Sequence, residues 1–280
     1  MRKQKTPSKG KGAQKVRAYL ALVRPLNTLM VFSAAVLAGI IARASPSCFL
    51  PVAVGAALVS AGAQAINDYY DYGIDRRKGK RHALRKRDVL LASVVLYALG
   101  VLASLLASPL LALLALLAAL LSWAYSSHLR AVKYLGNVVV ALLTAFVFIF
   151  AGICGEVWRV LFPFLLSFLV SWAREVMKDI EDLPADRGHK TTLPMIVGEE
   201  MAGYFSAYLL LLGVFFSVFP GPLGFGIFSA WYYYLLLPAT LLFILSALYV
   251  IRGRPREAQR LCKAGMLVAL LAFAAGTLLP

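Results

Sequence analysis

Residues 49–75, FLPVAVGAALVSAGAQAINDYYDYGID, carry a long apolar run directly into a regular series of aspartates. The apolar part, residues 49–69, has about the ~20 residues that a helix needs to cross the hydrocarbon core of a membrane. Asp68, Asp71 and Asp75 are spaced by three and four residues, so a continuing helix would present all three carboxylates on one face. We therefore predict a membrane-spanning helix that ends in an acidic face.

The rest of the chain repeats this apolar length several times. The 280 residues are 61% hydrophobic, with a mean hydropathy of +0.77, which is too apolar for a soluble domain. Lipid offers no partners to backbone N–H and C=O groups, so each apolar run must be a helix. We predict an all-α membrane protein with nine transmembrane helices, at residues 20–42, 49–69, 88–107, 109–127, 134–154, 160–178, 201–219, 226–251 and 261–279.

Basic residues alternate from loop to loop along this arrangement. Of the 29 lysines and arginines, all but Arg43 and Arg159 fall on one side of the nine helices. By the positive-inside rule that side, with the N-terminus, is cytoplasmic. The net charge of +16 therefore describes one membrane face, and no nucleic-acid partner is needed to explain it. We predict a disordered basic tail at residues 1–17 and a single multi-pass domain at residues 18–280, in the cell membrane.

A second aspartate series, Asp179, Asp182 and Asp186, has the same DxxDxxxD spacing and also lies where an apolar run ends. Stacked like charges on a helix are unfavourable unless cations hold them. Mg²⁺ prefers carboxylate, phosphate and water oxygens. One series alone would fit an ordinary capped helix end equally well. Two series with the same spacing, both on the cytoplasmic side of the membrane, predict a Mg²⁺ site and a polyanionic ligand.

Two other classes of protein stay open at this stage. An ion-coupled transporter would use membrane carboxylates, although such sites tend to lie near the bilayer midplane rather than at helix ends. A purely structural membrane protein would have no use for two acidic faces. The three cysteines, Cys48, Cys154 and Cys262, show no metal-ligand spacing. Cys48 and Cys154 both fall near the external face and could meet, but we expect free thiols.

At the two acidic motifs the chain resembles the UbiA superfamily of intramembrane prenyltransferases. Residues 67–75, NDYYDYGID, match its NDxxDxxxD motif, and residues 182–186, DLPAD, match its DxxxD motif. Residues 24–27, RPLN, are similar to its RPxN, and residues 125–130, YSSHLR, to its YSxxLK. The resemblance covers roughly residues 20–280. Residues 81–84, RHAL, depart from the family's Arg-Pro-Leu element, which leaves open which loop cations contact diphosphate.

This resemblance implies nine helices around a central cavity and Mg²⁺-dependent transfer of a prenyl group from a diphosphate donor to a lipid-like acceptor, with no obligate protein partner. Catalysis would depend on Asp68, Asp71 and Asp182. The implied metal ligands are Asp68, Asp71, Asp75, Asp179, Asp182 and Asp186. The implied substrate-binding residues are Arg24, Asn27, Asn67, Arg77, Lys78, Tyr125, Arg130, Lys178, Arg187 and Lys190. Aromatic residues that would either line the cavity or simply pack are Tyr69, Tyr72, Phe146 and Trp172.

Residues 174–182, REVMKDIED, look most like the archaeal ether-lipid branch of this family. That branch would take geranylgeranyl diphosphate as donor and the free hydroxyl of geranylgeranylglyceryl phosphate as acceptor. The alternative is the same chemistry on an aromatic acceptor, such as a quinone precursor, or on haem. The sequence leaves the acceptor and the general base open.

Overall fold

The computed structural model describes residues 9–77, 84–128, 135–186 and 191–280, and within these ranges it contains helices and no strand. This confirms the all-α prediction. A short 3₁₀ turn, Val157–Val160, lies before α7. The helices are α1 (Lys9–Leu22), α2 (Pro25–Ile41), α3 (Pro46–Arg77), α4 (Lys86–Leu105), α5 (Pro109–Ser127), α6 (Leu135–Gly152), α7 (Leu161–Asp186), α8 (Leu193–Val197), α9 (Glu199–Phe216), α10 (Trp231–Ile251) and α11 (Pro255–Leu278).

The number of spans agrees with the prediction. Among the described residues, eight helices are long and apolar enough to cross a membrane: α3, α4, α5, α6, α7, α9, α10 and α11. A ninth span results if α1 and α2 are counted together, since they form one apolar unit with a bend of 45°. The nine predicted spans correspond to these nine units in order.

The bend between α1 and α2 differs from the predicted continuous span at 20–42. Pro25 occupies the first turn of α2, and a proline disfavours the helical conformation of the residue before it. Arg24 lies outside the right-handed helical region and adopts a left-handed conformation, with φ 43° and ψ 73°. The helix therefore stops and restarts at this point.

Both helices that carry the aspartate motifs continue well past their apolar runs. The predicted spans ended at residues 69 and 178, whereas α3 continues to Arg77 and α7 to Asp186. Pro184 lies inside α7 without ending it. The backbone of all six aspartates is thus helical, as their spacing predicted.

The bundle has two apolar clusters of buried side chains. One joins α2, α3, α5 and α6 with parts of α10 and α11, and the other joins α7, α9, α10 and α11. Between them lies a cavity of about 110 Å³, lined by residues of α2, α6, α7, α9, α10 and α11. This confirms helices arranged around a central cavity.

The expectation of free thiols was wrong for two of the three cysteines. Cys48, in the first turn of α3, forms a disulfide with Cys154, which follows α6. The backbone N–H of Glu156 donates to Ala42 O (2.7 Å), and Arg159 Nε donates to Ile41 O (2.7 Å). These bonds hold the segment after α6 against the α2–α3 turn, and tertiary packing of this kind is not visible in cysteine spacing. Cys262 is a buried free thiol.

The structure describes only part of the predicted N-terminal tail. From Lys9 onward the structure describes the chain as helix α1, and Ala18 and Leu22 of this helix contact the buried cluster formed with Ala65 and Val89. The disordered basic tail at residues 1–17 stays a prediction. The single-domain boundary at residue 18 stays a prediction.

Candidate active site

The first motif occupies the last turns of α3, beside the bend between α1 and α2. Arg24 Nη2 donates to Asp68 Oδ1 at 2.8 Å. A positive φ is uncommon for a residue other than glycine, and such backbone conformations cluster at functional sites. The bend thus brings the guanidinium of Arg24, which was predicted to bind substrate, into contact with Asp68, a predicted metal ligand.

The other side chains of this motif form contacts within α3 and with the start of α4. Asn67 Nδ2 donates to Asp71 Oδ2 at 3.2 Å, one helical turn away. Tyr72 Oη donates to Leu84 O (3.1 Å), and the ammonium group of Lys86 lies 4.5 Å from the centre of the Tyr69 ring. Asn67, predicted to bind substrate, therefore also holds Asp71, one of the predicted catalytic carboxylates, on its own helix.

The second motif begins with a buried carboxylate. Asp179 is only 6% exposed, and Asn137 Nδ2 of α6 donates to its Oδ2 at 2.8 Å. Asp182 is half-buried on the next turn. Asn137 was not among the residues predicted for the site. The signal was a single amide near the start of the apolar run 134–154, where a polar side chain needs a partner.

The turn of α7 before Asp179 carries opposite charges. Glu175 is buried, and it accepts from Arg174 Nη1 (3.2 Å) and Lys178 Nζ (3.4 Å). Lys178 was predicted to bind substrate, and the structure also gives it this ion pair on its own helix. Glu181, on the next turn, accepts from Gln259 Nε2 of α11 at 2.6 Å.

The remaining substrate-binding predictions fall into two groups. Asn27 Oδ1, in the first turn of α2, accepts from Lys263 Nζ of α11 at 3.2 Å, and Tyr125 is half-buried in the last turn of α5. The backbone of Asp75, Arg77 and Asp186 is helical, but their side chains lie outside the described part of the structure. Lys78, Arg130, Arg187 and Lys190 lie outside the described residues altogether.

Contacts between helices place both motifs at the same end of the bundle. Arg24 and Asn27, at the start of α2, reach Asp68 on α3 and Lys263 on α11. Asn137, at the start of α6, reaches Asp179 on α7. Within the described residues, however, no three His, Cys, Asp or Glu side chains lie close enough together to hold a metal ion. Each motif is therefore held by its own helix neighbours.

The central cavity is mostly apolar, and its aromatic lining differs from the predicted set. Phe148, Tyr232, Phe243 and Phe273 line it, whereas none of the four predicted aromatics does. Phe146 stacks on Phe150, and Trp172 packs against Phe168 and Phe205. Tyr69 and Tyr72 make the contacts near α4 described above. The packing alternative is thus the one that the structure supports for Phe146 and Trp172.

Comparison with known proteins adds the decisive observation. The profile of the UbiA prenyltransferase family matches residues 28–275, which is most of the chain. The chain belongs to the UbiA prenyltransferase family. It is therefore a prenyltransferase, as the resemblance at the two acidic motifs implied, and a multi-pass membrane protein, as the apolar runs predicted.

Individual members of the UbiA family agree with this assignment. The chain is 35% identical over 280 residues to the digeranylgeranylglyceryl phosphate synthase of Methanopyrus kandleri, covering 94% of this chain and 100% of that protein. A solved structure described as digeranylgeranylglyceryl phosphate synthase in membranes has a TM-score of 0.75 and 28% identity, over 94% of this chain and 98% of the other. A UbiA homologue from Archaeoglobus fulgidus, bound to DMAPP and Mg²⁺, has a TM-score of 0.63 and 17% identity, over 92% of this chain and 97% of the other.

Proposed function

We propose that this enzyme transfers the geranylgeranyl group of geranylgeranyl diphosphate to the free hydroxyl of geranylgeranylglyceryl phosphate. The reaction would form the second ether bond of archaeal membrane lipids and release diphosphate. The observation that carries the proposal is the position of two aspartate motifs at one end of a helical bundle around an apolar cavity. Relatives with this name, about one-third identical over nearly the whole chain, support the choice of substrates.

The donor atoms of the two motifs fit Mg²⁺. They are hard carboxylate oxygens, and Mg²⁺ usually takes one or two carboxylates together with substrate phosphates and water, so a preformed cage of three is not required. In this proposal Asp68, Asp71 and Asp75 hold the ion on α3, and Asp179, Asp182 and Asp186 hold it on α7. When bound, Mg²⁺ would neutralise the diphosphate as it leaves. The A. fulgidus homologue with bound Mg²⁺ supports this assignment.

Neighbouring side chains prepare these carboxylates for their role. Arg24 and Asn67 hydrogen-bond to Asp68 and Asp71, and Asn137 to Asp179, so each carboxylate is held by a donor from its surroundings. Partners of this kind orient metal ligands. The apolar cavity would bind an isoprenoid chain and exclude water from the reactive allylic carbon. Phe148, Phe273 and Tyr232 present aromatic rings there.

We further propose that the aspartate motifs face the cytoplasm. Cys48 precedes Asp68 by 20 residues of the same helix, which corresponds to about 30 Å. The Cys48–Cys154 disulfide therefore lies at the opposite end of the bundle from the motifs. Disulfides form in oxidising compartments, which supports an external position for that end. The distribution of basic residues indicates the same orientation.

The experiment supplies radiolabelled geranylgeranyl diphosphate to purified enzyme, with and without EDTA, and compares geranylgeranylglyceryl phosphate with 4-hydroxybenzoate. We expect metal-dependent transfer to the glyceryl phosphate. Asp71→Asn and Asp182→Asn should each lower kcat/KM about 100-fold or more, because even outer-shell partners of metal ligands contribute about 10–100-fold.

Glu200→Gln is the matched control, because Glu200 is an exposed carboxylate at the start of α9. It should retain wild-type activity. Transfer to the aromatic acid alone would instead favour the quinone-type reaction. Full activity of Asp71→Asn, or full activity of the wild type in EDTA, would count against the metal site.

A further inference from the structure

Lys263 is an ionisable residue inside a membrane span. It is the ninth residue of α11, about 12 Å along the helix from Pro255. Its Nζ points into the bundle, where it donates to Asn27 Oδ1 of α2 at 3.2 Å. The apolar run of this span begins at residue 261, so Lys263 lies at the motif end of the span. Ionisable residues in transmembrane helices usually face the bundle interior and often mark a substrate site.

A second cation lies beside this lysine. Arg174 of α7 lies at the same packed contact between α7 and α11, because the residues next to the two cations in the chain, Ala173 and Cys262, are both fully buried in one apolar cluster. Glu175 provides one negative charge and is already paired with both Arg174 and Lys178. Within the described part of the chain, the hydrogen-bond partner of Lys263 is the neutral side chain of Asn27. This junction of α2, α7 and α11 therefore suits an added anion.

The same junction lies at one end of the central cavity. On each of the three helices, a residue of the junction is about one turn from a residue that lines the cavity. Asn27 is followed by Met30, Lys263 is followed by Met266, and Arg174 is preceded by Val170. The junction and the cavity together therefore suit an amphiphile with an anionic head and an apolar chain.

We propose that Lys263 and Arg174 form a subsite for the phosphomonoester of the acceptor, with the adjoining isoprenoid chain in the central cavity. The inference rests on the proposed function, because it assumes a phosphorylated acceptor. A phosphomonoester carries a charge of about −1.5 to −2 near neutral pH, which two cations can match without a metal. Lysine acts on phosphate as a point charge, and arginine can bind it with two hydrogen bonds.

This subsite is distinct from the donor site at the aspartates. Among the described side chains, Arg24 is a cation of the first motif's surroundings, paired with Asp68. Lys263 of α11 contacts Asn27, which lies one turn after Arg24 on α2. The first motif and Lys263 therefore approach α2 from two different helices, α3 and α11. The donor's diphosphate would meet the carboxylates and their bound cations, whereas the acceptor's phosphate would meet side-chain cations alone. The enzyme would then distinguish donor from acceptor by the charged groups that bind each phosphate.

The experiment measures KM for acceptor and donor separately in Lys263→Gln. Glutamine can still hydrogen-bond to Asn27 but carries no charge, so a role limited to holding α2 against α11 would be retained. We expect KM for geranylgeranylglyceryl phosphate to rise about 10-fold or more, because losing a hydrogen bond between two charged groups weakens binding by about this factor. KM for geranylgeranyl diphosphate should stay within about twofold of the wild type, and Lys263→Arg should restore most of the acceptor affinity.

Two further variants complete the test. Arg174→Gln should also raise the acceptor KM selectively, and it provides an independent result if Lys263→Gln does not fold. Arg260→Met is the matched control, since Arg260 is an exposed cation one turn before Lys263 on the same helix. It should leave both KM values unchanged.

The outcomes separate the two proposals. If the wild type does not use geranylgeranylglyceryl phosphate, the proposed function fails. If the wild type uses it, but Lys263→Gln and Arg174→Gln keep the wild-type acceptor KM or raise both KM values equally, the subsite proposal is overturned.

Discussion

At the scale of single residues, the site depends on side chains that hold carboxylates in place. Arg24 does so from a backbone conformation that few residues other than glycine adopt, with φ 43°. Such a conformation costs of order 1–3 kcal/mol and persists only where its surroundings enforce it. Its guanidinium reaches Asp68 at 2.8 Å. A residue with an unfavourable backbone and a contact to a motif carboxylate indicates that function, rather than stability, selects the side chain.

Two substitutions of Arg24 separate the cost of its backbone conformation from the contribution of its guanidinium to catalysis. Arg24→Gly should fold with at least the thermal stability of Arg24→Ala, because glycine adopts positive φ without steric cost. Both variants should lose about 10-fold or more in kcat/KM, since both lose the hydrogen bond to Asp68. Thermal unfolding in detergent and steady-state kinetics measure the two effects. Wild-type kcat/KM in Arg24→Gly would show that the guanidinium has no role at the motif.

At the scale of helices, close contacts between small residues set the position of α3, which carries the first motif. Gly100 of α4 packs on the backbone of α3: a Cβ added there would lie 2.9 Å from Gly55 O and 3.1 Å from Val59 N. Helices in membranes associate largely through such close packing, because lipid provides no hydrophobic drive between them. The α3–α4 contact thus depends on the absence of a side chain at this position.

Gly100→Ala should therefore destabilise the protein by about 1–3 kcal/mol, the usual cost of overpacking, because backbone atoms must move to admit the methyl group. Thermal unfolding in detergent measures the change. Gly73→Ala is the matched control for stability, since nothing lies within 4 Å of its added Cβ. It should unfold at the wild-type temperature or slightly above it, because alanine is the better helix former. Equal stability of the two variants would mean that α3 and α4 can separate at no cost.

At the scale of the whole molecule, the two ends of the bundle have different chemistry. One end carries the aspartate motifs and their cations, and the other carries the disulfide between α3 and the segment after α6. Near that disulfide, Arg159 Nη2 also donates to Ile227 O, before α10 (3.2 Å). The disulfide end is thus held by a covalent bond and by hydrogen bonds to backbone carbonyl groups. The motif end is held by contacts between side chains, which a substrate could rearrange.

Cysteine labelling in intact cells tests the proposed orientation. A membrane-impermeant maleimide should label Cys48 and Cys154 only after treatment with an impermeant reductant, because the proposed orientation places their disulfide on the outer face. The Cys48→Ser, Cys154→Ser double variant should remain unlabelled in folded protein, since Cys262 is buried. Labelling of the wild type only in inverted vesicles would reverse the orientation and place the motifs outside.

The sequence by itself determined the membrane spans, their number and the helical spacing of the two aspartate series. Lipid forces every long apolar run into a helix, and a spacing of three and four residues has only one meaning on a helix, so these features depend on local physics alone. Only the tertiary structure decided which side chains meet. Arg24 with Asp68, Asn137 with Asp179, Lys263 with Asn27, and the disulfide all join residues from different helices, far apart in the chain. Such pairs depend on how helices pack and where they bend, and neither periodicity nor charge counts carry that information.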